Sequence, residues 1–174
     1  MNTEALRQMI RVLEAVKANE LKFDLSEWIS ENEAVEVVRK VGSAETFIDA
    51  AKAHYECGTS ACACGFAASD EWFIKQGFRW IKEPAYEDTA EHLYLGYHDP
   101  KVVTDADASF EHIGWSALRK FFDMPDGDMA EIFDVSGYVN EDLFEDDDDG
   151  AAFRAECAKI TPQDVINKIR TYLK

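Results

Sequence analysis

Between residues 57 and 72 the chain reads CGTSACACGFAASDEW, a run dominated by small side chains. A helix made of such residues can be approached closely by its neighbours, so the stretch is expected at the centre of the core. Ala61, Gly65 and Ala68 fall at i, i+4 and i+7, one helix face with almost no bulk. Cys62 and Phe66 lie one turn apart on the adjoining face. Gly58 permits a turn and Thr59 can cap the N–H groups that follow, which places the helix start near Ser60. Ser69 is expected to cap a second short helix, with Asp70 and Glu71 at its positive end. Trp72, Phe73 and Ile74 give that helix its bulk, and Gly77 stops it.

The remaining segments supply faces to pack on this hub. Residues 3–19 carry Leu6, Met9, Ile10, Leu13 and Val16 at helical spacing and predict the first helix. Residues 21–28 form a connector in which Phe23 and Trp28 read as aromatic plugs on the hub. Two further helices are predicted over 31–40, ending at Gly42, and from Ser43 to about Tyr55. Past the hub, residues 78–81 alternate as a strand, and 92–97 and 101–104 read as two more around a proline-containing turn. Helices are predicted again over 115–124 and 126–133, the first burying Leu118, Phe121 and Phe122, the second Met129, Ile132 and Phe133. A final helix opens with Thr161 as cap and Pro162 in the first turn, where its missing N–H is harmless. The fold class predicted is α+β, mostly helical, with a small antiparallel sheet. With no internal repeat, linker or shift in composition, residues 1–174 read as one domain.

Three blocks carry a family resemblance: FDLSEW at 23–28, CGTSACACGFA at 57–67 and DEWFIKQGF at 70–78. Together they resemble a family of small, uncharacterised bacteriophage and bacterial proteins, marked by FD[ML]xxW and CGTxxCxxGxA motifs. GWSALRKFFDMPDGDMAEIF at 114–133 and ITPQDVINKIRTYL at 160–173 are similar to its later blocks. The resemblance implies phage or mobile-element origin. It brings no activity, ligand or catalytic residue with it.

Charge narrows the function classes. Thirty-five acidic residues against eighteen basic ones give a net charge of −17. Such a chain is repelled by nucleic-acid backbones and anionic membranes, so neither direct nucleic-acid binding nor membrane binding is expected. The balance fits a basic protein partner, a nucleic-acid-like surface, or mere solubility. Glu141, Asp142, Glu145, Asp146, Asp147, Asp148 and Asp149 crowd seven carboxylates into nine residues, with Leu143 and Phe144 as anchors, and Asp105 and Asp107 add a smaller cluster. These nine acids are the candidate interaction surface, and the loop at about 141–149 is expected to be exposed.

Other chemistries were weighed on the same residues. His54, Cys57, Cys62 and Cys64 are four soft ligands, but C-x4-C-x-C is not the paired C-x-x-C spacing of zinc sites. Buried packing thiols explain them better, so no metal is expected, and a metal-binding structural or sensor module stands as an alternative reading. Cys57 before a helix N-terminus could act as a nucleophile with one of His54, His92, His98 or His112 as base, which is the alternative, enzymatic reading. Residues 145–156 follow the spacing of a calcium loop, with Gly150 as the turn and Glu156 as the closing ligand, though Glu145 replaces the usual leading Asp. Phosphate-loop, dinucleotide and His-Glu-x-x-His motifs do not occur, so no cofactor is expected. The N-terminal residues read as an amphipathic helix rather than a signal peptide, and the cysteine pattern is not a secreted disulfide framework. The expected setting is the cytoplasm of a bacterial host. The leading expectation is therefore a non-enzymatic acidic interaction protein, an accessory factor that binds a host or defence protein.

Overall fold

The structure, a computed structural model, describes residues 1–25, 62–82, 93–100, 112–140 and 150–174. Numbered in chain order among these residues, the elements begin with α1 (Thr3–Ala18), α2 (Ala63–Ala68) and α3 (Glu71–Lys75). Three strands follow: β1 (Phe78–Lys82), β2 (Leu93–Tyr97) and β3 (His112–Ile113). Then come α4 (Trp115–Phe122), α5 (Asp126–Phe133), a 3-10 turn (Val135–Gly137), α6 (Gly150–Cys157) and α7 (Pro162–Tyr172). The fold is α+β and mostly helical, with a small antiparallel sheet in the order β1-β2-β3.

The small-residue segment is central, as its composition demands. Every residue of α2 is buried, and α2 packs against α1, α3, β1 and β2. Phe23 covers it from the connector, its ring stacked on Phe66 at 6.5 Å. Two local details differ from the sequence reading. The helix starts at Ala63, with Cys62 in extended backbone at its N-cap, rather than near Ser60. Asp70, not Ser69, caps the next helix, accepting from the Trp72 N–H. The reason is that the Ser69 hydroxyl is already engaged, donating to the Gly65 carbonyl at 3.2 Å and accepting from Trp80 Nε1 at 3.1 Å. A carboxylate is in any case the stronger acceptor for the free N–H groups of a helix start.

Helix α1 lies over this hub, burying Leu6, Met9, Val12, Leu13 and Val16. Asn2 fixes its start: the side chain accepts from Ala5 N–H and donates to the Phe121 carbonyl, while the Asn2 backbone N–H donates to the Phe122 carbonyl at 2.7 Å. One residue thus caps α1 and satisfies free carbonyls at the end of α4. Helix α7 packs along α1, burying Val165, Ile166 and Ile169. Its start is the expected one, with Pro162 in the first turn and Thr161 and Asp164 forming a reciprocal capping box. Helix α5 occupies the predicted residues and buries the predicted Met129, Ile132 and Phe133.

In the sheet, Phe78 pairs with Tyr97 and Trp80 with Leu95. Phe78, Trp80 and Leu95 are buried, the alternation that a strand with one inward face requires. The third strand is His112–Ile113, held against Gly96 and Tyr97 of β2, and its shortness left no alternating pattern to read. The strand predicted over 101–104, the helices over 31–40 and 43–55, and Trp28 lie outside the described residues.

Gly77 turns the chain from α3 into β1 at φ +86°. A Cβ built there would stand 1.9 Å from the His98 carbonyl oxygen, and that backbone is held by the His98 N–H to Gly77 carbonyl bond of 3.2 Å. Gly77→Ala therefore meets both an unfavourable backbone angle and a rigid obstacle. We expect a loss on the order of 1–3 kcal/mol in denaturant unfolding, and wild-type stability would show that the α3–β1 turn rearranges freely.

Candidate functional site

The nine predicted surface acids, Asp105, Asp107, Glu141, Asp142, Glu145, Asp146, Asp147, Asp148 and Asp149, all lie outside the described residues, as do His54, Cys57 and His92. What the structure does place is the remainder of the sulfur cluster, the second half of the calcium-loop match, and one cavity.

Cys62, Cys64 and Cys157 are free thiols, and all three are buried. Cys62 sits at the N-cap of α2, the position that the sequence reading gave to Thr59. Its thiol makes no capping bond of ordinary geometry. It is nonetheless shifted below the usual thiol range, first by the hydrogen bond from Cys64 and, against burial, by the N–H groups of Gly65 and Cys64. Burial pushes the Cys64 thiol well above its usual value, with Cys62 adding to the effect. The two shifts oppose each other because the Cys64 thiol donates to the Cys62 sulfur. At 3% and 2% exposure neither sulfur is open to a reagent. We expect both thiols to resist alkylation in the native protein and to label on unfolding, read by mass spectrometry. Rapid native labelling of Cys64 would contradict the packing shown.

Of the candidate bases, His112 stacks on Tyr97 at 6.5 Å in the sheet. His98 follows β2, its imidazole held below the usual range by burial and by Arg79, with Asp99 opposing. Among the described residues no group of three or more metal-ligating side chains is assembled.

The calcium-loop match fails on its second half. Gly150 should make a sharp turn and Ala151 should offer a carbonyl, with Glu156 closing the site. Instead Gly150–Cys157 is α6, and the Glu156 carboxylate pairs with Lys159 in the following turn. A helix running from Gly150 commits the Ala151 carbonyl to its own ladder, so that loop geometry is not available. The acid spacing was met by a charged segment leading into a helix.

The cavity was not anticipated. An open hollow of about 350 Å³ is lined by Trp115, Asp126, Ala130, Asp134 and Ser136. Asp126, Ala130 and Asp134 recur at i, i+4 and i+8 along α5 and its C-cap, so a single helix face presents a carboxylate at each end. Trp115 opens α4 directly after Gly114, whose φ of +61° turns the chain out of the edge strand β3. Trp115 and Ile113, two residues apart in the chain, are 40% and 41% exposed, two of the three exposed large hydrophobic residues among those described. By spacing, Trp115 belongs with Leu118 and Phe122 on the inward face, which is why the sequence gave no sign of its exposure. Its place in the first turn, beside the edge strand, leaves it at the surface. The signal in the sequence is the Asp-x3-Ala-x3-Asp spacing, which puts both carboxylates on one side of the helix.

The carboxylates of the cavity are only partly engaged. Asp134 Oδ1 accepts from the Ser136 N–H at 2.9 Å, capping the 3-10 turn. Asp126 stands 3.6 Å from the Arg119 guanidinium, longer than a hydrogen bond, with its side chain 80% exposed. Negative charge beside an exposed indole suits a cation and disfavours an anion.

No family model, curated protein or solved structure matches this chain. Among the described residues, no helix is long and apolar enough to cross a membrane.

Proposed function

We propose that this chain is a non-enzymatic interaction protein, a phage or mobile-element accessory factor that binds a basic surface on a host or defence protein in the bacterial cytoplasm. The observation that carries the reading is charge: a net −17 over 174 residues. A field of that size speeds encounter with a positively charged partner and repels nucleic acid, so the surface competes with nucleic acid for a basic groove. The acids at Asp105, Asp107 and 141–149 are the densest source of that field. The half-exposed Trp115, set among carboxylates, supplies the apolar anchor that charge alone lacks.

Affinity capture from host lysate, with tagged wild type beside a variant carrying Asn at Asp146, Asp147, Asp148 and Asp149, tests the reading. Association should weaken steeply with added salt, and the Asn variant should associate several-fold more slowly while melting as the wild type does. Binding indifferent to both salt and the substitutions would remove the acidic-contact mechanism.

A further inference from the structure

We propose that the cavity walled by Trp115, Asp126 and Asp134 receives the side chain of an arginine on a basic protein partner. The inference rests on the interaction reading above and names the side chain through which that partner is anchored. An apolar occupant would cover the Asp134 carboxylate without a counter-charge and the Asp126–Arg119 pair with it, and a phosphate or carboxylate would be repelled by the two acids. A cation is the remaining class.

Arginine fits the wall better than lysine. Its planar guanidinium can lie on an indole face and offer a fork of N–H donors to carboxylates at the rim, whereas an ammonium is a more strongly hydrated point charge. Ala130, one turn from both Asp126 and Asp134, puts only a methyl group into the lining between them. Among the described residues Asp134 uses only Oδ1 internally, in the bond from Ser136 N–H. Arg119 touches Asp126 at 3.6 Å with a half-exposed side chain, a long surface pair that an incoming guanidinium can replace at little cost. The hollow therefore combines an aromatic wall with two carboxylates.

The test is a titration of the folded, isotope-labelled full chain with acetyl-Gly-Arg-Gly-amide, the same peptide with lysine, and the same peptide with citrulline, the neutral isostere of arginine. Magnetic resonance shifts of the Trp115 indole N–H and of the Asp134 and Ser136 amides report on the cavity. The arginine peptide should move these signals saturably, the lysine peptide several-fold more weakly, and the citrulline peptide not at all. Trp115→Leu, which keeps apolar bulk and removes the π face, should weaken the arginine peptide by about tenfold. Asp134→Asn, whose side-chain oxygen can still cap Ser136, should weaken it several-fold with the melting temperature unchanged. Equal response to citrulline, shifts spread over surface carboxylates without saturation at the cavity, or indifference to Trp115→Leu would each overturn the proposal. The same variants separate it from the broader reading. Salt-sensitive capture of a partner that Trp115→Leu does not affect would sink the pocket alone. Saturable arginine binding in the cavity, together with salt-indifferent capture, would sink the acidic-contact reading alone.

Discussion

Phe73→Ala should cost about 3–5 kcal/mol, the largest single loss expected among the described residues. Phe73 is fully buried, and its ring centroid lies 5.0 Å from Trp72, 5.5 Å from Phe121, 6.0 Å from Phe78 and 6.4 Å from Phe122. Those partners come from α3, β1 and α4, and they also touch one another, with Phe78 and Phe121 at 4.9 Å and Phe121 and Phe122 at 5.2 Å. A hole at Phe73 is consequently walled by rings that support each other, and it cannot close without moving all three elements. The loss therefore includes the transfer free energy of the ring and most of the cavity penalty. Edge-to-face contacts, such as the one with Trp72 at 81°, add about 0.5–1.5 kcal/mol. Denaturant unfolding should show a lower midpoint with an unchanged slope, and Phe73→Leu should recover much of the difference. A loss under about 1 kcal/mol would mean the site collapses around the deletion and the aromatic cluster is not the rigid centre described here.

Asp70→Ala should cost about 2–4 kcal/mol. Asp70 is the single buried charged residue among those described, at 2% exposure. Its Oδ1 accepts from the Trp72 N–H at 3.0 Å and from Arg11 Nη2 at 2.7 Å. The first bond caps α3, worth about 1 kcal/mol, and the second ties α1 to that cap through a charge-assisted bond worth about 1.5–3 kcal/mol. The two partners are not equivalent. Arg11 is half exposed and returns to water when Asp70 is removed, whereas Asp70 without Arg11 keeps a buried charge with one neutral donor. Arg11→Met should therefore cost more than Asp70→Asn, and the Arg11→Met, Asp70→Asn double variant should be more stable than Arg11→Met alone. Additive losses across this cycle would show that the two side chains do not act as a pair.

Both predictions sit where the sequence was legible in part. DEWF was read as a short helix with Phe73 as bulk, but its cap was assigned to Ser69, because a hydroxyl before an acidic pair fits a start signal as well as the first acid does. The choice was made by distant residues: Trp80 and Gly65 take the Ser69 hydroxyl, and Arg11 of α1 takes the Asp70 carboxylate. In the calcium-like segment, acid spacing suggested a loop, while helix α6 shows that backbone hydrogen bonding prevailed from Gly150 onward. Ligand spacing alone carries no information about which residues will be helical.

What the sequence determined by itself is local and periodic. The inward faces of α1, α5 and α7, the Thr161–Pro162 start, the Gly77 stop, the alternation of β1 and the central position of the small residues around Gly65 all follow from spacing, side-chain size and permitted backbone angles, which act over a few residues. The excess of negative charge is equally independent of folding, since it is set by the count of acidic and basic residues. What only the tertiary structure decided is which of several equivalent groups met a distant partner. It put Asp70 under Arg11, made a third strand from two residues by pairing them with Gly96 and Tyr97, and left Trp115 at the surface although its helical phase matches buried Leu118 and Phe122. Contacts between residues far apart in the chain depend on how elements pack, and helical phase says which face turns inward but not how far along a helix the core extends.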